Sequence, residues 1–254
     1  MLLGIDNFDQ FKIFFDVIYD ITDLLELQLF KDHMKCTILD KAHTRFMSVE
    51  FKSDFFSVYE VNDVESVTLF AEDIHKIIKS VNKVDNVVLE SNDDYLICRI
   101  ESDNGNSRVF EFVLPSDFIE SPQPPSISLP INLTVGLNDL KQGINDLKIV
   151  GSNVMRFTAQ KDSLIITAGV DINTNYSLKI PVMIETDDET NYVQDSYSST
   201  FTLDYIEQLL KFNKINKNIE LRMGDDYPLL YSVNDEIMGV CVDGLIAPRI
   251  EVED

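Results

Sequence analysis

This sequence has little of what reactive or metal-binding proteins use. Its 254 residues include three histidines, His33, His43 and His75, and three cysteines, Cys36, Cys98 and Cys241. The cysteines lie far apart, with no CxxC and no histidine at ligand spacing. That argues against a disulfide frame or a zinc site and for buried thiols in a reducing compartment. No dinucleotide-binding or phosphate-binding glycine loop, no HExxH and no GxSxG occurs. The acid clusters Asp187-Asp188-Glu189 and Asp225-Asp226 lack EF-hand spacing and read as solvated loop charge. The expectation is therefore no enzyme: no catalytic residue, no cofactor and no metal ligand. No apolar run approaches the ~18–20 residues of a membrane span. The start, Met1-Leu2-Leu3-Gly4-Ile5-Asp6, has neither the basic nor the long apolar region of a signal peptide. Basic residues are also scarce, 21 against 44 acidic, for a net charge of −23.

What is present is a duplication. With the sequence shifted by 132, Ile74-His75-Lys76-Ile77-Ile78-Lys79 falls on Ile206-Glu207-Gln208-Leu209-Leu210-Lys211. Asn92-Asp93-Asp94-Tyr95 falls on Gly224-Asp225-Asp226-Tyr227, and Ile5, Phe8 and Phe15 fall on Leu137, Leu140 and Leu147. Solenoid repeats have periods of ~20–50 residues. A period of 132 is a whole domain, so the chain reads as two copies of one fold, at 1–115 and 134–254. Between them, 116–133 holds Pro122, Pro124, Pro125 and Pro130, a stiff extended connector. Its Ile127, Leu129 and Ile131 suggest that it also walls a binding groove.

Four segments carry apolar residues at helical spacing: 7–20, 71–83, 137–150 and 203–217, the last less ordered after Phe212. Alternating or β-branched runs, among them 47–51, 87–90, 107–114, 164–168, 219–223 and 228–233, read as strands. Two helices and several strands per copy make an α+β fold of antiparallel sheets, with little room for βαβ crossovers.

Charge is distributed unevenly. The helical segments contain nine lysines: Lys12, Lys76, Lys79, Lys83, Lys141, Lys148, Lys211, Lys214 and Lys217. They also contain nine acids, so the helices are neutral and the remainder of the chain carries the whole −23. Lysine is a flexible point charge suited to phosphates, without the planar fork that arginine offers base edges. A single such helix would read as an ordinary solvated face. Four of them, in two copies, point to a shared phosphate-facing surface.

The ending Leu245-Ile246-Ala247-Pro248-Arg249-Ile250-Glu251 closely resembles that of the DNA sliding clamps of the proliferating cell nuclear antigen type. Thr200-Phe201 through Lys211, then Asp226-Tyr227-Pro228-Leu229, looks like that family's second-domain helix and strand. The stretch 73–79 looks like its first-domain lysine helix, Leu39-Asp40 with His43 like its loop at the peptide pocket, and Gln123-Pro124-Pro125-Ser126 to Pro130 like its connector. The likeness covers essentially the whole chain. It departs at the first helix, which has one lysine, at Thr44 and Phe46, where valine and leucine are usual, and at 240–244.

The resemblance implies a sliding-clamp fold in each copy and a ring of three subunits around duplex DNA, a homotrimer or a heterotrimer with sister subunits. The nine lysines would face the DNA. Ring closure would pair edge strands 107–114 and 175–182 of neighbouring subunits, through Arg108, Val109, Phe110, Glu111 and Phe112 on one side and Tyr176, Ser177, Leu178, Lys179 and Ile180 on the other. Polymerase, clamp loader, flap endonuclease and ligase would dock short peptides on Leu39, His43, Thr44, Phe46, Ile127, Leu129, Pro228, Ile246, Ala247, Pro248 and Arg249. The tail arginine and the connector favour a cytoplasmic, nucleoid-associated archaeal setting over a nuclear one, and a viral source stays open. A competing reading is an acidic duplicated protein-interaction scaffold that never encircles DNA.

Overall fold

The computed structural model describes residues 1–6, 8–61, 63–82, 85–92, 94–116, 121–168, 175–185 and 196–249. In chain order the elements of the first half are β1 (Leu2–Ile5), α1 (Phe8–Tyr19), β2 (Leu24–Leu29), β3 (His33–Leu39), β4 (Arg45–Lys52), a 3-10 turn Ser53–Phe55, β5 (Val58–Glu60), β6 (Glu65–Phe70), α2 (Ala71–Ser80), β7 (Asn86–Ser91), β8 (Tyr95–Glu101) and β9 (Ser107–Val113). The second half has β10 (Ile131–Gly136), α3 (Leu137–Ile149), β11 (Val154–Gln160), β12 (Ser163–Thr167), β13 (Ser177–Pro181), β14 (Ile184–Glu185), β15 (Ser196–Thr202), α4 (Leu203–Leu209) with a 3-10 turn Leu210–Lys214, β16 (Asn218–Met223), β17 (Leu229–Asp235) and β18 (Val240–Ile246). The fold is α+β, and all the strand pairs named below are antiparallel.

Two compact units result. Unit 1 comprises Met1–Lys41, Phe46–Pro124 and Asn234–Val242. Unit 2 comprises Ala42–Arg45, Pro125–Val233 and the described part of Asp243–Asp254. Unit 1 has a five-stranded sheet, β5-β1-β7-β8-β9, and the run β4-β3-β2-β6. Unit 2 has a four-stranded sheet, β13-β12-β11-β15, and the run β14-β10-β16-β17.

The duplication is visible in individual bonds. The Ala71 N–H donates to Asp23 O in unit 1, and the Leu203 N–H donates to Asn153 O in unit 2, both at 2.9 Å. Leu24 faces Phe70 across β2 and β6, as Val154 faces Thr202 across β11 and β15. The step of 132 holds from α2 to α4, both of which start where it predicts, at Ala71 and Leu203. It does not hold at the first helix. There the buried residues Phe8, Phe11, Phe15 and Ile18 match Leu137, Leu140, Ile144 and Leu147, a step of 129. Residues three apart share a helix face, so a slip of three still laid apolar on apolar.

Both cores follow from the periodicity, but with different chemistry. In unit 1, Phe11 and Phe14 of α1 pack on Phe51 of β4 at 5.6 and 4.9 Å between ring centroids. In unit 2 the equivalent helix buries Leu137, Leu140, Ile144 and Leu147. Each such side chain contributes roughly 1.5–3 kcal/mol by burial.

Two helices are shorter than their sequence pattern. α2 stops at Ser80, whose Oγ donates to Ile77 O at 2.8 Å; Val81 is extended, and Asn82 and Asp85 form a turn. Lys83, expected on this helix, lies outside the described residues. α4 gives way to 3-10 geometry at Leu210, which buries Phe212 6.3 Å from the ring of Tyr231. Among the expected strands, 175–182 narrows to Ser177–Pro181. The strand 107–114 ends at Val113, with one further ladder bond from Leu114 N–H to Asp94 O.

Candidate functional site

Three sets of residues can be followed upward from their elements: helix lysines, free sheet edges and the surroundings of the tail. The lysines differ in how far their charge is already committed. In unit 1, Lys76 of α2 reaches Glu72 at 3.1 Å and Asp73 at 3.2 Å, and these carboxylates, Glu72 first, raise its pKa. Lys79 is exposed one turn on and Lys12 of α1 is half-buried. In unit 2, Lys148 of α3 meets Glu207 of α4 at 2.5 Å. Lys141, Lys214 and Lys217 are exposed, Lys211 is half-buried, and the Lys217 Nζ donates to Asn213 O at 2.7 Å. Exposed pairs of this kind are worth about 0–1 kcal/mol, so a phosphate can compete for these lysines.

The two expected pairing strands are sheet edges. Among the described residues β9 pairs only with β8, and β13 only with β12. The far side of the same unit 2 sheet is covered: β15 accepts the Asp226 N–H at Ser198 O and the Arg249 N–H at Thr200 O. On β9, Val109, Glu111 and Val113 point to one exposed face, with the two valines 54% and 67% accessible, while Phe110 and Phe112 stack 6.3 Å apart on the other.

Arg108, expected at a subunit contact, uses its guanidinium within unit 1. It donates to Ser80 O at 2.8 Å and to the buried Asp85 carboxylate at 2.9 Å. The Asn82 N–H, the Ser102 hydroxyl and Arg108 hold the Asp85 pKa below the usual range against the opposing effect of burial. On the β13 side, Tyr176 donates to Asp146 of α3 at 3.0 Å, and burial followed by that carboxylate pushes its hydroxyl to about 12. Lys179 is exposed, Leu178 half-buried and Ile180 buried.

In unit 2 the tail gathers several of the remaining residues. The Ala247 N–H donates to Thr44 O at 2.7 Å, which fixes the loop Ala42–Arg45 beside it. His43 stands exposed in that loop at φ 56, a region that histidine tolerates better than most residues. The turn Gly224–Tyr227 is pinned from β15: Ser198 N–H donates to the Asp225 carboxylate at 2.6 Å and Ser199 Oγ to Gly224 O at 2.8 Å. Asp225 thus has a structural partner and is not merely solvated. A Cβ on Gly224 would meet Pro130 at 3.3 Å and Leu129 at 3.6 Å, so the end of the connector lies against this turn.

Pro228, Ile127, Ala247 and Pro248 are half-buried and Arg249 is exposed, whereas Leu129 and Ile246 are core residues, 5% and 2% accessible. In unit 1, Leu39 is half-buried and Phe46 is buried. Two neighbours escaped the sequence reading. Tyr227, 56% exposed, was legible from the repeated Asp-Asp-Tyr, while Arg45 carried no sequence signal.

Among the described residues no group of three or more His, Cys, Asp or Glu side chains could hold a metal ion, and no helix is long and apolar enough to cross a membrane. Cys36 and Cys98 are buried, and desolvation raises both thiols to about 12; Cys241 is half-buried.

The fold and these surfaces define a duplicated α+β protein with lysine-bearing helices and, among the described residues, a terminal strand at β9 in unit 1 and at β13 in unit 2. Residues 5–119 match the model for the N-terminal domain of proliferating cell nuclear antigen. The "DNA polymerase sliding clamp" of Methanothermobacter thermautotrophicus is 26% identical over 245 residues, 94% of each chain. The "DNA polymerase sliding clamp 3" of Sulfurisphaera tokodaii is 25% identical over 99% of this chain and 100% of its own. The fold matches the PCNA2–PCNA3 complex of Sulfolobus tokodaii, with a TM-score of 0.83 at 20% identity, covering 98% of this chain and 99% of that one. It also matches A. fulgidus PCNA bound to the C-terminal region of FEN-1, with a TM-score of 0.85 at 18% identity over 99% of both chains. Residues 5–119 thus match that family's N-terminal domain, and over nearly its whole length the chain is similar to sliding clamps of the PCNA type.

Proposed function

We propose that this chain is one subunit of a ring that encircles duplex DNA and tethers replication and repair enzymes to it. The observation that carries the reading is that the terminal strands β9 and β13 are different surfaces. β9 of unit 1 and β13 of unit 2 are not counterparts in the duplication, so pairing one with the other is head-to-tail. Head-to-tail association closes into a ring when its rotation allows. Unpaired edges are templates for such pairing. Among relatives of this fold, PCNA2 and PCNA3 of Sulfolobus tokodaii form a complex with each other.

Lys12, Lys76, Lys79, Lys141, Lys148, Lys211, Lys214 and Lys217 would face the DNA. Contacts to the phosphate backbone carry no sequence information and weaken with salt, which lets a ring slide. The acid on the remaining surface disfavours DNA elsewhere. Partner enzymes would dock short peptides beside the tail, near His43, Thr44, Ile127, Pro228 and Ala247–Arg249; the similar A. fulgidus PCNA binds the C-terminal region of FEN-1. DNA polymerase, clamp loader and ligase are expected to use the same mode. In this reading the chain catalyses nothing itself and works in the cytoplasm at the nucleoid.

Solution mass is the test. The chain alone, at 29.0 kDa per subunit, should run near three subunits, or do so once a sister subunit is added. Phe110→Pro or Ser177→Pro should give folded monomers, because proline removes a ladder donor. A wild-type chain that stays monomeric with every sister clamp and ignores DNA would favour the acidic scaffold instead.

A further inference from the structure

We infer that Arg45 is a positioning residue for the partner-peptide site, fastening the loop Ala42–Arg45 to helix α4. This rests on the reading above that the loop borders that site. The loop needs fastening: His43 sits in the left-handed region, a conformation that persists only where the surroundings enforce it. One tie is the Thr44 O to Ala247 N–H bond of 2.7 Å. The other is Arg45. Its Nη1 donates to Gln208 Oε1 at 3.2 Å, and its guanidinium carbon lies 4.5 Å from the centroid of the Tyr205 ring. Tyr205 and Gln208 are three residues apart, so they present one flank of α4 to a single arginine. The core face of that helix is Leu203, Ile206 and Leu209, and Glu207 is held by Lys148 of α3.

Arginine suits the task because it stacks on an aromatic face and donates at its rim together; lysine would do only one of these well. The loop therefore follows α4 on one side and the tail on the other. A peptide laid beside Thr44 and Ala247 meets an edge already in place and spends little on ordering it. Without the arginine, the binding-competent loop becomes a fraction of the population, and the apparent Kd rises by the inverse of that fraction. Loss of one cation–π contact and one charged hydrogen bond corresponds to a weakening of about 30-fold or more.

The test is calorimetric titration of the full chain with a synthetic peptide of the pattern Gln-x-x-aliphatic-x-x-aromatic-aromatic, together with amide exchange of residues 203–209. Arg45→Ala should weaken binding about 30-fold or more and Tyr205→Leu, which removes only the ring contact, about 2–5-fold, while Tyr205→Phe, which keeps the ring face, should bind like wild type. Peptide should raise protection of 203–209 in wild type and leave it unchanged in Arg45→Ala. Wild-type affinity in Arg45→Ala would overturn the inference. So would a loss that tracks thermal stability while the peptide still protects 203–209. A wild-type chain that takes up no peptide would overturn the pocket reading, and this inference with it.

Discussion

Replacing Gly244 with alanine should damage unit 2 more than a methyl group normally does. Gly244 lies in β18, three residues before Ala247. A Cβ built there would stand 2.1 Å from Cζ of Tyr231, 2.2 Å from its hydroxyl oxygen and 2.4 Å from Cε1. Ordinary carbon contacts are ~3.5–4.0 Å, so the ring would have to retreat by more than 1 Å. It has no room to do so. Tyr231 is 6% accessible and packs 6.3 Å from Phe212, which is fully buried. Overpacking of this kind costs about 1–3 kcal/mol and occasionally more, and a clash of 2.1 Å with a buried ring places Gly244→Ala at the upper end. At roughly 2–4 °C per kcal/mol for a chain of this size, melting should fall by about 6–12 °C. Tyr231→Phe would not relieve it, because Cζ and Cε1 remain, whereas Tyr231→Leu in the Gly244→Ala background should recover part of the loss. Unfolding followed by circular dichroism, with amide exchange to localise the change to unit 2, reads the result. A melting shift below about 1 °C would refute the packing argument.

Two further outcomes follow from electrostatics. Lys79→Glu with Lys211→Glu should reduce clamp-stimulated synthesis and flatten its dependence on salt, since each lost phosphate contact lowers the slope of log K on log salt by about 0.9; solution mass should not change. The Asp85 pKa lies below that of an unfolded aspartate, so its contribution is present above the unfolded value near ~3.9 and is lost as pH falls through the folded value. Asp85→Asn should therefore melt below wild type at neutral pH, with the gap closing in acid below about pH 4. A gap that persists undiminished in acid would show that the Arg108 clip does not depend on the carboxylate charge.

How much of this was legible in the sequence depended on whether a feature is local. Helix faces come from the i, i+3, i+4 spacing, so Phe8, Phe11, Phe15 and Ile18 announce α1 without any knowledge of what they pack against. Helix ends were less legible. α2 ends because Ser80 turns its hydroxyl back on Ile77 and Asp85 collects Asn82 and Arg108, a bargain struck partly by a residue 28 positions from Ser80. The tail, the connector and the edge strands were found through the family likeness; composition alone does not reveal them. Arg45 and Gly244 were not legible at all. Each matters through residues elsewhere in the chain, Arg45 through Tyr205 and Gln208 and Gly244 through Tyr231, and nothing local to either residue signals those partners.

The chain's acidity and its lysines make sense only together. A ring held to DNA by topology needs no strong attraction and is hindered by one, because every additional phosphate contact steepens the salt dependence and slows release. Under the proposed DNA-facing role, helices that are neutral overall, with lysines such as Lys76 and Lys148 already shared with carboxylates, would give weak and exchangeable contact. The surrounding −23 then becomes useful. Over a Debye length of about 8 Å, acid beyond the helices would repel a duplex that approaches the wrong surface, while helix lysines within that distance of the phosphates would still attract it. Under the proposed ring, the same acid would raise the solubility of a subunit with exposed sheet edges and so guard β9 and β13 until the right partner edge arrives.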